Sequence, residues 1–118
     1  MPALFNKPLV INQGATFIDV LTWSTGEPPL PVDLTGCTAR MQIRATQAST
    51  SVLSELTTEN MGVVLGGNTG VITLKIPAIK TEKFAWLSGV YDLEIVFPDE
   101  TVVRIVEGNV SVSVGVTR

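Results

Sequence analysis

The chain has 118 residues, a length typical of one domain spanning 1–118, and carries a formal net charge of −3. Its eight Lys and Arg residues are scattered, which argues against nucleic acid or an anionic membrane surface as a partner. No window has the roughly 18 apolar residues of a membrane-spanning helix. Charged residues reach only 16% and apolar residues 45%. This composition fits either a small β protein with Ser, Thr and Val outside, or a subunit partly covered by partners.

The first part of the chain alternates apolar and polar residues with the period of two that is typical of strands. A first strand is predicted over Leu9–Asn12. A second is predicted over Ala15–Ser24; both its faces are largely apolar, so it is either central or covered on its outer face. The segment Thr25–Pro31 contains three prolines, and we expect a stiff, exposed connection that joins no ladder. A half-buried strand follows at Cys37–Arg44.

The middle of the chain predicts three more strands and one helical turn. Short strands are expected at Val52–Leu56 and Gly62–Leu65, and a longer one at Gly70–Ile76. The only helical candidate is Thr81–Leu87, with Thr81 as N-cap and Gly89 just past its end.

The most informative feature is the strand that follows Gly89. Tyr91 opens it, and Tyr91, Leu93, Ile95 and Phe97 fall on one face. This pattern is typical of the tyrosine corner in immunoglobulin-like sandwiches, where the ring packs in the core and the hydroxyl bonds to the chain just upstream.

The last part predicts a hairpin and a closing strand. Pro98–Glu100 forms the turn, Thr101–Val106 returns, and Glu107–Gly108 is expected to be a bulge. The alternation over Val110–Val116 predicts a final edge strand able to pair with a neighbouring chain. The whole pattern favours an all-β, immunoglobulin-like β-sandwich of about 7–9 antiparallel strands, with one short helical turn at about 81–87.

Residues that carry chemistry are sparse. The chain contains no histidine, the commonest general base and metal ligand. The single cysteine, Cys37, alternates with Ala39 and Met41, which predicts a buried, inert thiol. One cysteine also excludes an intramolecular disulfide and fits synthesis in a cytoplasm.

Two carboxylates, Asp92 and Glu94, lie two residues apart on one strand face. We interpret them as cross-strand partners of Arg40 and Arg44 rather than as metal ligands, because no oxygen-rich binding loop surrounds them. We therefore predict no enzyme activity, no cofactor and no bound metal.

Three segments carry a family resemblance: Val32–Arg44, Gly89–Ile95 and Val103–Val112, with a closing Val116–Arg118. Together with the early Gln-Gly and the proline-bearing loop, they resemble small structural proteins of tailed bacteriophages. They resemble the immunoglobulin-like N-terminal module of baseplate upper proteins and related tail-fibre-attachment proteins. Such modules usually precede a long extension, and because this sequence stops at Arg118 we expect a free-standing adaptor or decoration subunit.

The resemblance implies a non-enzymatic virion structural protein, made in the host cytoplasm, that docks on tail, neck or baseplate or links a fibre to it. Its partners would be other virion proteins and symmetric copies of itself. A capsid decoration or cement protein, and a non-viral protein- or carbohydrate-binding module, remain as alternatives. The proline loop and the terminal segments, including Met1–Lys7, lack an internal packing pattern and are the expected docking segments. The expected contacts are these segments' residues and one tryptophan anchor: Gly26, Glu27, Pro28, Pro29, Leu30, Pro31, Leu4, Phe5 and Trp86. Trp86 alternatively caps the open end of the sandwich core.

Overall fold

The computed structural model describes residues 3–116, and nearly all of its regular structure is β. Its strands are β1 (Phe5–Asn6), β2 (Leu9–Asn12), β3 (Phe17–Thr22), β4 (Ser24–Thr25), β5 (Leu30–Pro31), β6 (Thr38–Arg44), β7 (Ser54–Thr57), β8 (Val63–Leu65), β9 (Val71–Ile76), β10 (Ser88–Val96) and β11 (Val102–Ser113). A 3-10 turn covers Gly67–Thr69, and one helical turn, α1, covers Ala78–Thr81.

The strands form two layers with an immunoglobulin-like order. One sheet runs β1–β11–β10–β6–β7, with β2 also paired to β11, and the other runs β3–β9–β8. These orders match strands G, F, C and C′ of the immunoglobulin fold in the first layer and B, E and D in the second. The predicted all-β, immunoglobulin-like sandwich is therefore confirmed. It is not wholly antiparallel, because β1 and β2 both run parallel to β11.

The core lies between the two sheets and follows the period of two. In β10 every second residue is buried, beginning with Gly89 and Tyr91, and the same alternation appears in β6. Ile72 and Leu74 of β9 are fully buried from the opposite layer. Each such aliphatic side chain contributes roughly 1.5–3 kcal/mol of transfer free energy, so the alternating strands fix which face of each sheet turns inward.

The predicted helical turn is displaced. It begins at Ala78 after Pro77 and ends at Thr81, so Thr81 is its last residue and not its N-cap, and Phe84–Leu87 is not helical. The Thr81 hydroxyl is drawn into the core instead, where it accepts from the Gly14 N–H at 3.1 Å and donates to the Ala15 carbonyl at 2.9 Å. Burial of this hydroxyl at the end of the sandwich therefore outweighs its use as a cap.

The proline segment was expected to join no ladder, and this is wrong at its two ends. Ser24 pairs with Pro31 and Thr25 with Leu30, so the segment is a short hairpin, β4–β5. Proline lacks only the N–H donor, and a terminal strand position tolerates it because the carbonyl remains an acceptor.

The two C-terminal predictions are also corrected. The register shift between β10 and β11 falls opposite Leu93 and Glu94, which makes Ile105 the extra residue, whereas Glu107–Gly108 pairs regularly. The final strand ends at Ser113, so Val114–Val116 lies outside it. Val110 and Ser111 pair with β10 on one side and with β2 on the other, so the start of the stretch predicted as an edge is not one.

Candidate functional site

The β4–β5 hairpin lies at the loop end of the sandwich, beside the turns that join β8 to β9 and β10 to β11. At its base the Trp23 N–H donates to the Gly70 carbonyl at 2.8 Å, and the Val32 N–H donates to the Trp23 carbonyl at 2.9 Å. The Trp23 and Phe97 rings meet edge to face, with centroids 6.0 Å apart. All seven residues of the Thr25–Pro31 segment are exposed. The hairpin is therefore held at its base by Trp23 and is exposed to solvent over the rest of its length.

The N-terminal candidates Leu4 and Phe5 lie on the same side of the molecule. Both are exposed, and β1 holds them beside β11. A groove of about 270 Å³ separates β1 from β3. Its lining is mostly apolar: Phe5, Leu21, Trp23, Ile72, Ile105 and Val106. Because Trp23 lines the groove and supports the hairpin, the structure places the N-terminal candidates near the hairpin base.

The strand β3 adds two apolar residues that sequence reasoning did not select. Ile18 and Val20 are 58% and 55% exposed on its outer face. Within the described residues β3 pairs only with β9, so it is an edge strand and not a central one. The apolar pattern on both faces of this strand was the available signal. We call the exposed residues along this side the apolar margin: Leu4, Phe5, Ile18, Val20 and Leu30.

Trp86 is not brought together with the other candidates. It lies just before the start of β10, whereas Trp23 and the hairpin lie beside the other end of that strand. Its ring stacks against Phe84, with centroids 4.9 Å apart, and it is partly buried against the core. This placement agrees with the alternative role of closing the end of the sandwich.

Tyr91 is buried as predicted, but its hydroxyl has a different partner from that of a tyrosine corner. It donates to the carbonyl of Lys7 at 2.6 Å, in the segment between β1 and β2, and not to the chain just upstream. Burial, and secondarily the Asp19 carboxylate, raises the pKa of Tyr91 well above its ordinary value, which keeps the phenol a neutral donor. We call this bond the Tyr91–Lys7 clasp.

Lys7 is held from three directions. Its N–H donates to the Glu107 carbonyl at 3.0 Å, and its Nζ forms an ion pair with Asp19 at 2.9 Å. Its carbonyl lies so close to Gly108 that a Cβ there would be 2.3 Å from the oxygen. The glycine at 108 is therefore required by the close passage of the N-terminal segment, and not by a bulge.

Gly89 has a comparable role within the sheet. It is a buried residue of β10 and not a helix terminus, and an added Cβ would lie 2.8 Å from the Arg44 carbonyl. The predicted structural importance of this glycine has its basis in a close approach of two strands.

The charged pairs on the outer face of the first sheet follow the prediction in part. Arg40 and Glu94 form the expected cross-strand pair, with Nε and Oε1 2.8 Å apart. Asp92 instead pairs with Arg104 of β11, at 3.4 Å, and Arg44 donates to Gln42 and to a loop carbonyl. The strand register explains this, since Arg44 lies opposite Val90 and not opposite Asp92.

One thiol and the carboxylates are the remaining groups that bear on catalysis or metal binding. The Cys37 thiol is partly buried, and desolvation, followed by the Asp33 and Asp99 carboxylates, raises its pKa, which disfavours the thiolate. Across residues 3–116, no group of three or more Cys, Asp or Glu side chains is arranged to hold a metal ion. No helix in that range is long and apolar enough to cross a membrane. Neither a scan against protein-family models nor a search of the curated proteins finds a match to this chain.

Proposed function

We propose that this chain is a non-enzymatic structural subunit of a tailed-phage virion. It docks on the tail, neck or baseplate, or links a fibre to it, and its partners are other virion proteins and symmetric copies of itself. The proposal rests on the resemblance of its sequence segments to such proteins and on one structural observation, the apolar margin.

The apolar margin supports a docking role because its residues are large, apolar and exposed. Leu30 at the hairpin is 67% exposed, and Leu4 and Phe5 are more than half exposed beside the groove between β1 and β3. Single exposed apolar residues are common on monomers, and it is the apolar groove lined by Phe5 that makes this side of the molecule a candidate protein–protein contact. Burying one such side chain in an interface contributes roughly 1.5–3 kcal/mol.

The chemistry of the margin also defines its partner. Lys7, which lines the groove between β1 and β3, is neutralised by its ion pair with Asp19, so the groove itself offers no net charge with which to select a partner. We expect the complementary surface to be an apolar patch or loop of another virion subunit. Met1 and Pro2, which belong to the predicted N-terminal docking segment, lie outside the described residues.

The deciding experiment asks where the chain is found. Tailed particles purified from the source are separated into heads and tails, and each fraction is analysed by mass spectrometry and electron microscopy. The proposal expects the chain in the tail fraction at a fixed copy number. Its presence on heads favours the capsid decoration alternative, and its absence from both fractions refutes a virion role.

A pair of variants then tests the docking surface. Leu30→Ser in the apolar margin should reduce incorporation into particles without changing the melting temperature of the isolated chain. Ile79→Ser is the matched control, because Ile79 is 63% exposed on α1, at the other end of the sandwich. Equal incorporation of both variants would contradict docking through the margin.

A further inference from the structure

A second surface, on the outer face of the first sheet, differs from the apolar margin in shape and chemistry. It is a concavity of about 560 Å³, within the range of roughly 300–1,000 Å³ that small-molecule sites occupy. Its floor is formed by β10 and β11, and the loop after β6 contributes Thr46 and Gln47 to its wall. We call this concavity the polar groove.

A continuous row of polar side chains crosses the sheet through the polar groove. The register places Gln42 opposite Asp92, Asp92 opposite Glu107, and Glu107 opposite Asn6. Glu55 of β7 extends the row beyond Gln42. With strands about 4.8 Å apart, the row spans about 19 Å over five strands. None of these residues neighbours another in sequence, so only the fold assembles them.

Part of the polar groove is held rigid by the protein itself. Arg44 donates through Nη2 to the Gln42 amide oxygen at 2.7 Å and through Nη1 to the Ser49 carbonyl at 2.6 Å. The Gln42 amide in turn donates to Glu55 at 2.8 Å. Asp92 forms an ion pair with Arg104, with Nε and Oδ2 3.4 Å apart. Polar groups fixed in this way lose little side-chain entropy when a ligand binds.

Other polar groups of the groove remain available. The exposed side-chain amides of Asn6, Gln47 and Asn109 have no hydrogen-bond partner among the described residues. Each amide offers both a donor and an acceptor, which is the combination that a hydroxyl group satisfies. The lining charges cancel, because Arg44 and Arg104 balance Asp92 and Glu107.

We infer that the polar groove binds a neutral polyhydroxylated ligand, that is, a saccharide. Cancelling charges exclude a preference for phosphate or another ion, and mixed donors and acceptors suit vicinal hydroxyls. A peptide added as a strand does not fit, because the groove lies on a sheet face where the strand backbones are already paired. The lining contains Tyr91, whose ring is buried, so hydrogen bonds rather than ring stacking carry recognition, and the expected dissociation constant is on the order of 1 mM.

The inference goes beyond the docking role and does not depend on it, since no residue of the apolar margin lines the polar groove. The test is a titration of the isotopically labelled full chain, followed by amide chemical shifts. Maltotriose, cellotriose and chitotriose are each added to about 20 mM, well above the expected dissociation constant. At least one of them should shift amides around Asp92 and Asn109 in a saturable manner.

Two variants localise the site. Asn6→Ala and Asn109→Ala remove exposed amides that have no protein partner, so the fold should be kept while binding weakens about fivefold or more for each lost hydrogen bond. Asn68→Ala is the matched control, since Asn68 is an exposed asparagine in the turn between β8 and β9. The inference is overturned if no sugar shifts the groove amides, if the shifts cluster elsewhere, or if all three variants bind equally well.

Discussion

Removing the Tyr91 hydroxyl tests the Tyr91–Lys7 clasp most directly. Tyr91→Phe keeps the buried ring but deprives the Lys7 carbonyl of a donor that lies 2.6 Å away. An acceptor left without its partner costs about 1–3 kcal/mol when fully buried. Because Lys7 is only half-buried, water reaches part of this site, and we expect a loss of about 1–2 kcal/mol in the free energy of unfolding.

The assay is urea unfolding combined with amide hydrogen exchange. For a chain of 118 residues, the expected loss corresponds to a melting temperature lower by about 4–8 °C. Exchange should accelerate first at the Lys7 amide, which donates to Glu107, and in β2, because the clasp holds this segment onto β11.

Lys7→Met is the control for this prediction. It removes the half-exposed ion pair with Asp19 but keeps the carbonyl acceptor, so it should cost no more than about 1 kcal/mol. The reasoning is refuted if Tyr91→Phe changes the unfolding free energy by less than about 0.3 kcal/mol, a value within the scatter of surface substitutions. It is equally refuted if exchange accelerates uniformly over the sandwich and not first in β2.

Three further predictions concern single side chains. Gly108→Ala brings a Cβ to 2.3 Å from the Lys7 carbonyl oxygen and should lower the free energy of unfolding in urea by about 1–3 kcal/mol. A smaller loss would mean that the N-terminal segment moves aside, and would contradict the close passage as the reason for this glycine. Thr81→Val leaves the Gly14 N–H unpaired and should cost about 1–3 kcal/mol, whereas Thr81→Ser should retain most of the stability in the same assay. Burial raises the pKa of Asp92 above its ordinary value of 3.8, so ionising this carboxyl is less favourable in the folded chain than in the unfolded chain. The resulting loss of stability is absent below pH 3.8 and is complete above the raised pKa. Asp92→Asn should therefore gain melting temperature relative to the natural chain between pH 3 and pH 7, and an unchanged difference would contradict this.

The protonation of Asp92 is set by groups from every strand around it. Desolvation is the largest cause of its raised pKa, and Glu94 and Glu107 add to it. Arg104 and Arg44 oppose the shift. These opposing contributions to the pKa of Asp92 make it the informative carboxylate for a pH series.

The strands predicted best from the sequence are those with one solvent-facing side and one buried side. Cys37–Arg44 and Gly89–Phe97 alternate cleanly, and the structure places β6 and β10 there. The predictions are wrong where tertiary contacts, and not the local pattern, determine the secondary structure. Phe5–Asn6 carries no strand pattern in the sequence, yet it forms β1 because β11 offers backbone partners in register. The helical turn moved because the Thr81 hydroxyl satisfies two backbone groups of the turn before β3.

The candidate surfaces were predictable to different degrees. The exposure of the hairpin followed from its prolines, and the unusual pattern of β3 indicated an outer face with apolar residues. The Lys7 partner of Tyr91 is 84 residues away in sequence, and no local pattern reports such a contact. The polar groove draws its row from five strands, so its existence depends on register, which the sequence alone does not provide.

The parallel pairing of β1 and β2 with β11 determines how the domain would respond to a pulling force. Leu4 lies near the start of β11, where its N–H donates to the Arg104 carbonyl, and β11 ends at Ser113, at the opposite end of the sandwich. Tension applied to the two termini therefore slides β2 along β11, so their hydrogen bonds are strained together instead of opening one after another. Under tension the hydrogen bonds between β2 and β11 should break together, and the Tyr91–Lys7 clasp should bear part of the force because Lys7 directly precedes β2.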